Sequence, residues 1–548
     1  MKKPFKALTL AGIPALTLAA SIMATSSANA AIVPAGTQLA QVQELVRGNG
    51  AEPASLDPQK VEGSPGNKVV KDLFEGLVNQ DAEGNVIPGQ AESWSISDDN
   101  KVFTFKIRDT AKWSNGDTVT AHDFVFGFRR AVDPVTASRY SWYMEIPTIV
   151  NASEIIKGEQ PVESLGVKAL DDKTFQVTLE KPVPYFIKML AHYTMFPAPE
   201  KVIKKYGNNW TKPENIVSNG AYKMEKWVVN ERITLSRNAQ YWNNEQTVID
   251  KVTFLPVSGN IELTRYKAGE IDFTNGITPI PVQHFASLQK SIPDEIKITP
   301  RLSTYYYEFN EKVKPFDDAR VRKALSYAIN RNAIAKYVMK QGETPAYTFT
   351  PKSVAGFIPP EIDYSKMTQA ERDKEAKRLL TEAGFGPDNP LEFDLLYNTD
   401  EAHKQIAIAI SQMWKPLGVE VTLENQEWKT FLDSKDEGKF QVARAGWAGD
   451  YNEASTFLDL KTSTHGQNDG KFNSREYDAL MEKSRTVTTD EERAELYRKA
   501  EEILAEDMPL APIVEYTTSR LVKPYVGGYP MSNVEDNVYT RDLYIRKH

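Results

Sequence analysis

The chain contains no cysteine in its 548 residues. It therefore cannot form a disulfide, and it lacks the cysteine that a bacterial lipoprotein signal places at its cleavage site. The stability of the folded protein must come from buried apolar surface, for which a chain of this length has ample material.

Metal and catalytic motifs are also missing. The six histidines are scattered, and we find no His-Glu-x-x-His, no Gly-x-Ser-x-Gly and no phosphate-binding loop. We therefore expect no metal, no cofactor and no catalytic residue. One alternative stays open, a periplasmic serine hydrolase, because Ser287-Leu288-Gln289-Lys290 matches the Ser-x-x-Lys motif of penicillin-recognising enzymes.

Long apolar runs are confined to the first thirty residues. Three lysines precede the run Ala7 to Ala24, and Ala28-Asn29-Ala30 has the small-x-small form that signal peptidases cut. This pattern predicts a signal peptide over 1–30 and a protein secreted to the periplasm of a Gram-negative bacterium. No later stretch is apolar enough to cross a membrane.

Positive charge is in deficit. The formal net charge is −8, and loss of the three signal lysines lowers it to −11. An acidic surface argues against binding to nucleic acid or anionic lipid.

Apolar periodicity predicts strands that alternate with helices. Alternation over 101–108, 174–179, 304–309, 391–397 and 419–423 indicates strands, and spacing of three and four over 320–329, 371–383, 403–414 and 492–506 indicates helices. A further helix is predicted from Lys68 to Leu77, and Thr120 is the expected cap of another. This order is typical of α/β domains.

The stretch Arg444 to Glu453 is the most informative candidate for a site. A short apolar strand precedes it and a turn follows Asp450, and strand ends are common positions for binding residues. Two interpretations of Asp450 are open from these residues, a turn cap or one end of a ligand site. Gly446 and Gly449 would let a ligand approach the backbone.

Aromatic residues cluster near this stretch. In the predicted strand around Tyr305-Tyr306-Tyr307, two rings face one side and one the other. Trp428 and Trp447 add indoles. Most such rings pack cores, but their number also suits a cleft in which rings cover a ligand.

Several motifs together resemble one family. They are Asp72-Leu73-Phe74-Glu75-Gly76-Leu77, Lys112-Trp113-Ser114-Asn115-Gly116, Thr120-Ala121-His122-Asp123-Phe124, Asn219-Gly220-Ala221-Tyr222, Arg320 to Leu325, Asn425 to Phe431 and the stretch around Asp450. Across the mature chain, the sequence resembles the peptide-binding solute receptors of ABC importers, solute-binding protein family 5.

The resemblance implies roles for particular residues. Asp450 would take the α-amino group of a peptide, and Arg444, His403 and Lys435 its carboxylate. The peptide backbone and pockets would involve the following residues: Glu62, Gly63, Ser64, Tyr305, Tyr306, Tyr307, Trp428, Ala445, Gly446, Trp447 and Tyr516. A buried ammonium needs a carboxylate, and backbone pairing selects no side chain.

It also implies an architecture: a type II, cluster C periplasmic binding protein with an additional domain. Domain I would comprise 31–74, 200–302 and 518–548, domain II 75–199, and domain III 303–517, with chain crossings near 302 and 518 forming a hinge. Some members of the family carry a cysteine pair where this chain has Ser303 and Ala448, and others lack it.

The expected partners are short peptides of about two to five residues and the membrane permease of an importer with its cytoplasmic ATPases. We expect a monomer. Within the same class, a murein tripeptide, a nickel chelate or haem are alternative ligands.

Overall fold

The computed structural model describes residues 31–276, 280–487 and 489–548, without the side chains of Trp428 and Lys429. The predicted signal peptide at 1–30 lies outside the described residues, and so does the side chain of Trp428. No described helix is long and apolar enough to cross a membrane.

A four-stranded sheet is formed by segments far apart in the chain. In spatial order its strands are Glu44–Gly48, Lys251–Leu255, Arg232–Arg237 and Tyr222–Val228. The first pair is parallel and the other two are antiparallel.

A second four-stranded sheet, wholly antiparallel, comprises Ala91–Ile96, Val102–Ile107, Thr174–Thr178 and Val167–Asp171. The helix Ala121–Val132 packs on it, with Phe124 and Phe128 against Phe175. Thr120 and Asp123 form a capping box at its start, which confirms the predicted helix cap. One continuous apolar core joins this sheet to the first.

The largest sheet has six strands of mixed direction. Their order is Thr344–Pro345, Leu510–Leu521, Ile296–Phe309, Val442–Ala448, Leu391–Asn398 and Val419–Gln426. We call Ile296–Phe309 the central strand, Leu510–Leu521 the return strand and Val442–Ala448 the site strand. The last three strands of this order are parallel to one another.

The central and return strands are antiparallel over almost their whole length. Pairing runs from Ile296 opposite Leu521 to Glu308 opposite Leu510, and the register shifts between Pro300 and Thr304. The ladder is thus irregular close to the predicted crossings at 302 and 518.

Helices cover both faces of the large sheet and connect the remaining strands. The α-helices are Ser64–Leu73, Ala121–Val132, Ala152–Ile156, Phe186–Met189, Glu200–Tyr206, Gly259–Lys267, Val282–Ser291, Ala319–Tyr327, Arg331–Ala333, Asp363–Lys366, Gln369–Glu382, Glu401–Trp414, Trp428–Asp436, Ser455–Leu458, Arg475–Ser484 and Asp490–Asp507. Two small pairs, Val78–Gln80 with Val86–Pro88 and Val526–Gly527 with Tyr544–Ile545, complete the strands.

The predicted α/β class is confirmed, and most predicted elements fall within a few residues of the observed ones. The helix predicted from Lys68 to Leu77 is misplaced and instead spans Ser64–Leu73. Pro65 fits its first turn, where no amide bond is lost, and Gly63 before it has a φ of 77°, which favours glycine.

Candidate functional site

Asp450 lies in the loop after the site strand, and its side chain is only 13% exposed. Its Oδ2 atom is buried without a hydrogen-bond partner among the described residues. Its backbone N–H donates to Thr456 Oγ1 at 3.0 Å, so the loop is held through the main chain. The carboxylate does not act as a turn cap.

Aromatic rings from residues 140–193 surround this carboxylate. His192 Nε2 lies 3.7 Å from Asp450 Oδ1, and the His192 ring contacts Tyr140, Tyr143 and Tyr193. Because Thr194 N–H donates to His192 Nδ1, the proton of the neutral ring is assigned to Nε2, which faces Asp450. We call Asp450 with these four rings the amino pocket.

The electrostatics of the amino pocket favour an added cation. Burial, with the Glu535 carboxylate, raises the pKa of Asp450 to about 7 against the opposing effect of Lys71. Burial also raises the pKa of Tyr140 and Tyr193, and the carboxylates of Asp450 and Glu62 raise it further. Burial and Lys71 hold the pKa of His192 well below its usual range, so this ring stays neutral. A buried carboxylate without a cation is costly, and an ammonium would relieve that cost.

The backbone of the site strand has a free edge near this pocket. Gly449 N–H donates to Leu302 O at 2.8 Å, so by the alternation of an antiparallel ladder Ala445 and Trp447 direct their backbone groups to the central strand. Those of Gly446 and Ala448 point to the opposite edge. Among the described residues, the neighbouring strand on that edge pairs with Val442 and Ala443 and not with Gly446 or Ala448, and both of these residues are exposed.

The central strand has no such edge where Tyr305 to Tyr307, predicted at the peptide, are paired on both sides within the sheet. Tyr305 is opposite Gly446 on one side and Val514 on the other. A strand has two hydrogen-bonding edges, and both are used here. The predicted alternation is confirmed, since Tyr305 and Tyr307 pack in one core and Tyr306 in another. The three rings are buried, at 0–4% exposure.

The two glycines of the site stretch have packing neighbours. A Cβ on Gly446 would lie 3.0 Å from Arg444 Nη2, and one on Gly449 would lie 2.5 Å from Leu302 Cδ2. Gly449 therefore permits close packing within the chain, which differs from the predicted approach of a ligand.

Arg444 lies at the other end of the site strand, six residues or about 20 Å of extended chain from Asp450. Its Nη2 donates to Tyr516 Oη at 2.9 Å and its Nη1 to Asn398 Oδ1 at 3.3 Å. Its guanidinium lies 5.1 Å from the Tyr305 ring centroid. Nε is buried without a partner among the described residues, so the guanidinium retains donor capacity.

His403 lies in the same group, in the first turn of Glu401–Trp414, with its ring 5.6 Å from that of Tyr305. Burial and the nearby Arg444 hold its pKa well below the usual range. The structure therefore gives a neutral hydrogen-bonding ring at this position, whereas the sequence suggested a basic one.

Lys435, predicted at the peptide carboxylate, does not lie with Arg444 and His403. Its Nζ lies 3.1 Å from Glu308 Oε2 and 2.9 Å from Asp469 Oδ2, and Lys461 also pairs with Glu308. By strand alternation Glu308 lies on the Tyr306 face, opposite the face of Tyr305 and Arg444. Lys435 is already neutralised by two carboxylates in a buried ion network.

Glu62 and Trp447 lie near the amino pocket, and the Glu62 carboxylate acts electrostatically on Tyr140 and Tyr193. Glu62 and Gly63 are exposed just before the helix that begins at Ser64. The ring of Trp447 contacts that of Trp142 at 6.2 Å, and its Nε1 is buried without a partner among the described residues.

Sequence reasoning missed Tyr140, Tyr143, His192, Tyr193 and Lys71. The aromatic run Tyr140-Ser141-Trp142-Tyr143 and the pair His192-Tyr193 were the available signals.

The hydrolase alternative is not supported. Ser287 and Lys290 are both exposed on the helix Val282–Ser291, where nothing excludes water. No group of three or more His, Asp or Glu side chains that could hold a metal occurs among the described residues.

A free strand edge beside buried, unpaired polar groups is the arrangement of a ligand-binding protein. The profile of the bacterial extracellular solute-binding proteins, family 5, middle region, matches residues 85–469. The periplasmic oligopeptide-binding protein OppA of Salmonella typhimurium is 50% identical over 545 residues, covering 99% of each chain. The chain belongs to family 5 of these solute-binding proteins, and it is not an enzyme.

Solved structures of the same family have the same fold as this chain. That of the Escherichia coli murein tripeptide binding protein MppA has a TM-score of 0.88 and 47% identity, covering 93% of this chain and all of that one. Haemophilus influenzae OppA in complex with RPPGFSPFR has a TM-score of 0.86 and 47% identity over the same shares. The unliganded open form of MppA has a TM-score of 0.74, over 94% of this chain and 99% of that one.

Proposed function

We propose that this chain is a periplasmic receptor that binds short peptides and delivers them to an ABC importer. One observation carries the proposal: the buried carboxylate of Asp450 has an unpaired oxygen beside the exposed, unpaired edge of the site strand. An ammonium satisfies the first and an extended peptide backbone the second.

The peptide lies along the free edge formed by Gly446 and Ala448, with its amino group at Asp450. Glu62-Gly63-Ser64 supplies the second extended segment, on the other side of the peptide. Backbone pairing of this kind leaves the sequence of the peptide largely unread, and water completes the contacts of its side chains. Arg444 and His403 meet the carboxylate of peptides whose length matches the distance from Asp450.

The domain limits 31–74 with 200–302 and 518–548, 75–199, and 303–517 belong to this proposal. The irregular ladder between Pro300 and Thr304 suits a hinge. The amino pocket combines Asp450 with rings from 140–193, so the peptide stabilises the arrangement in which these parts meet. The lower similarity to the open form of MppA supports this arrangement.

Native mass spectrometry of protein purified from cells, with the ligand released by acid, tests the proposed function. We expect a mixture of intact short peptides. A single murein tripeptide would narrow the ligand within the class, whereas haem, a nickel chelate or a protein that never carries peptide would refute the proposal.

Peptide affinity should depend on pH through Asp450. Since its pKa is raised to about 7 and only the carboxylate binds an ammonium, affinity should fall below pH 7 by up to about tenfold per pH unit. Above about pH 8 the peptide amine itself loses its proton. Calorimetry of trialanine from pH 5.5 to 8.5 should give a bell-shaped profile, and a flat profile below pH 7 contradicts the assignment.

Replacing Arg444 with glutamine should weaken binding by about tenfold for the peptide length whose carboxylate reaches it, because a charge-assisted hydrogen bond is lost. Calorimetry with alanine peptides of two to five residues, each as free acid and amide, identifies that length. The affinity of the amide peptides should fall far less on this substitution, because they carry no terminal carboxylate. Arg475→Gln, at an exposed position, is the matched control, and an equal loss for acids and amides would remove Arg444 from the carboxylate site.

A further inference from the structure

A cavity lies beside the helix Ser64–Leu73, close to the amino pocket. Its wall is formed by Ser64, Asn67, Lys68 and Lys71 of that helix, Arg301 of the central strand, and the run Glu535 to Tyr539. Lys71 acts electrostatically on Asp450, and Ser64 directly follows the exposed Glu62-Gly63 segment. The cavity therefore adjoins the amino-terminal half of the proposed peptide site.

The side chains around this cavity carry more positive than negative charge. Lys68, Lys71 and Arg301 line it, against Glu535 and Asp536. Asp536 is already neutralised by Arg520, with contacts of 2.6 Å and 2.9 Å to its two oxygens. With Asp450, which acts electrostatically on Lys71, this leaves three basic side chains to two carboxylates, Glu535 and Asp450.

The three cations have few anionic contacts within the protein. Lys68 donates to the carbonyl of Asn275, and Lys71 donates to Asn537 Oδ1 at 2.7 Å. Among the described residues the Arg301 guanidinium has no hydrogen-bond acceptor and no ion pair. Glu535 accepts from Gln80 Nε2 at 2.7 Å and Asn537 Nδ2 at 3.1 Å.

Burial of these basic side chains close to one another is energetically unfavourable in the absence of an anion. Burial lowers the pKa of Lys68 well below its usual range, and Arg520, Arg47 and Arg301 lower it further, against the opposing effect of Asp536. Burial also lowers the pKa of Lys71 to about 8, despite the opposing carboxylates of Glu535 and Asp450. A carboxylate entering the cavity would offset this repulsion.

We propose that this cavity is a subsite for a carboxylate side chain of the bound peptide, formed by Lys68, Lys71 and Arg301. The receptor then prefers peptides with aspartate or glutamate in their amino-terminal half. This inference rests on the proposed function, and it adds a charge preference to backbone recognition that is otherwise indifferent to sequence.

The test is a positional scan of tetra-alanine in which each of the first three residues is replaced in turn by glutamate or by its neutral isostere glutamine. Calorimetry gives the ratio of affinities for each pair. At one of the first two positions glutamate should bind about tenfold tighter than glutamine, because it makes charge-assisted hydrogen bonds. The other positions should give ratios near one.

Arg301→Gln should reduce the ratio at that position to below about threefold, since one of three cations is lost, and Arg301→Lys should retain most of it. Arg301 is chosen because its guanidinium makes no hydrogen bond or ion pair with another described residue, so the fold should persist. Circular dichroism and the thermal midpoint verify this.

The possible failures are distinguishable. Ratios near one at every position in the wild type, or a preference that Arg301→Gln leaves intact, overturn the subsite while tetra-alanine still binds. If no peptide of the series binds to the wild type, both the proposed function and the subsite fail.

Discussion

Replacing Asp450 with asparagine is expected to weaken the binding of peptides with a free amino group by about 100-fold or more. A charge-assisted hydrogen bond contributes roughly 1.5–3 kcal/mol, and a buried ammonium left without its carboxylate costs roughly 3–5 kcal/mol. The rings of the amino pocket cannot replace the lost carboxylate, because His192 stays neutral and the tyrosines carry no charge at neutral pH. The nearby Glu535 carboxylate already accepts hydrogen bonds from Gln80 and Asn537.

The same substitution should not destabilise the free protein. Burial raises the pKa of Asp450, so its charged form opposes folding at every pH above the ordinary carboxyl value, and asparagine removes that opposition. The thermal midpoint without peptide should be equal or higher. Asp98→Asn, at an exposed position, is the matched control and should change neither the peptide affinity nor the thermal midpoint. A large fall in the midpoint would indicate a structural role for Asp450.

The second large effect is expected at Lys435, and it concerns stability. Lys435→Met leaves the buried carboxylates of Glu308 and Asp469 with Lys461 alone. Removing one partner of a buried ion network typically costs about 3–5 kcal/mol. Although burial opposes their charges, Lys461 and Lys435 lower the pKa of Glu308, and Glu308 and Asp469 raise that of Lys435. Equilibrium unfolding in urea should show a corresponding loss of free energy of unfolding.

Lys439→Met is the control for that experiment, because this lysine is 72% exposed and its ion pair is with the exposed Glu437. It should alter stability by less than about 0.5 kcal/mol. Peptide affinity of the folded Lys435→Met protein should be unchanged. A variant of normal stability that loses affinity for free-acid peptides would instead restore Lys435 to the carboxylate site.

The sequence predicted the alternating elements because their apolar periods, near two and near 3.6, are local properties of the chain. The sequence also indicated Asp450 as a candidate binding residue, because the site strand and the turn that follows it are adjacent in the chain. Ser303 and Ala448, the positions of the cysteine pair in relatives, lie directly opposite each other on neighbouring strands. Because a disulfide joins these positions in some relatives, the resemblance alone indicated that Ser303 and Ala448 lie close together, before the structure was known.

Strand edges and sheet faces could not be predicted in this way. Whether Tyr305 has a free edge depends on the return strand about 200 residues later, and the face that Lys435 reaches depends on Glu308. His192 approaches Asp450 from a short helical turn more than 250 residues earlier in the chain. Such contacts are set by the packing of distant elements, which periodicity does not encode.

The most direct test of the account is calorimetric titration of the wild-type protein with trialanine and with N-acetyl-trialanine at pH 7.5. Acetylation replaces the ammonium with a neutral amide and leaves the rest of the peptide unchanged, so the ratio of the two affinities reports on the amino pocket. The account predicts about 100-fold or more tighter binding of the free amine. Equal affinities would show that Asp450 does not hold the amino end of the peptide.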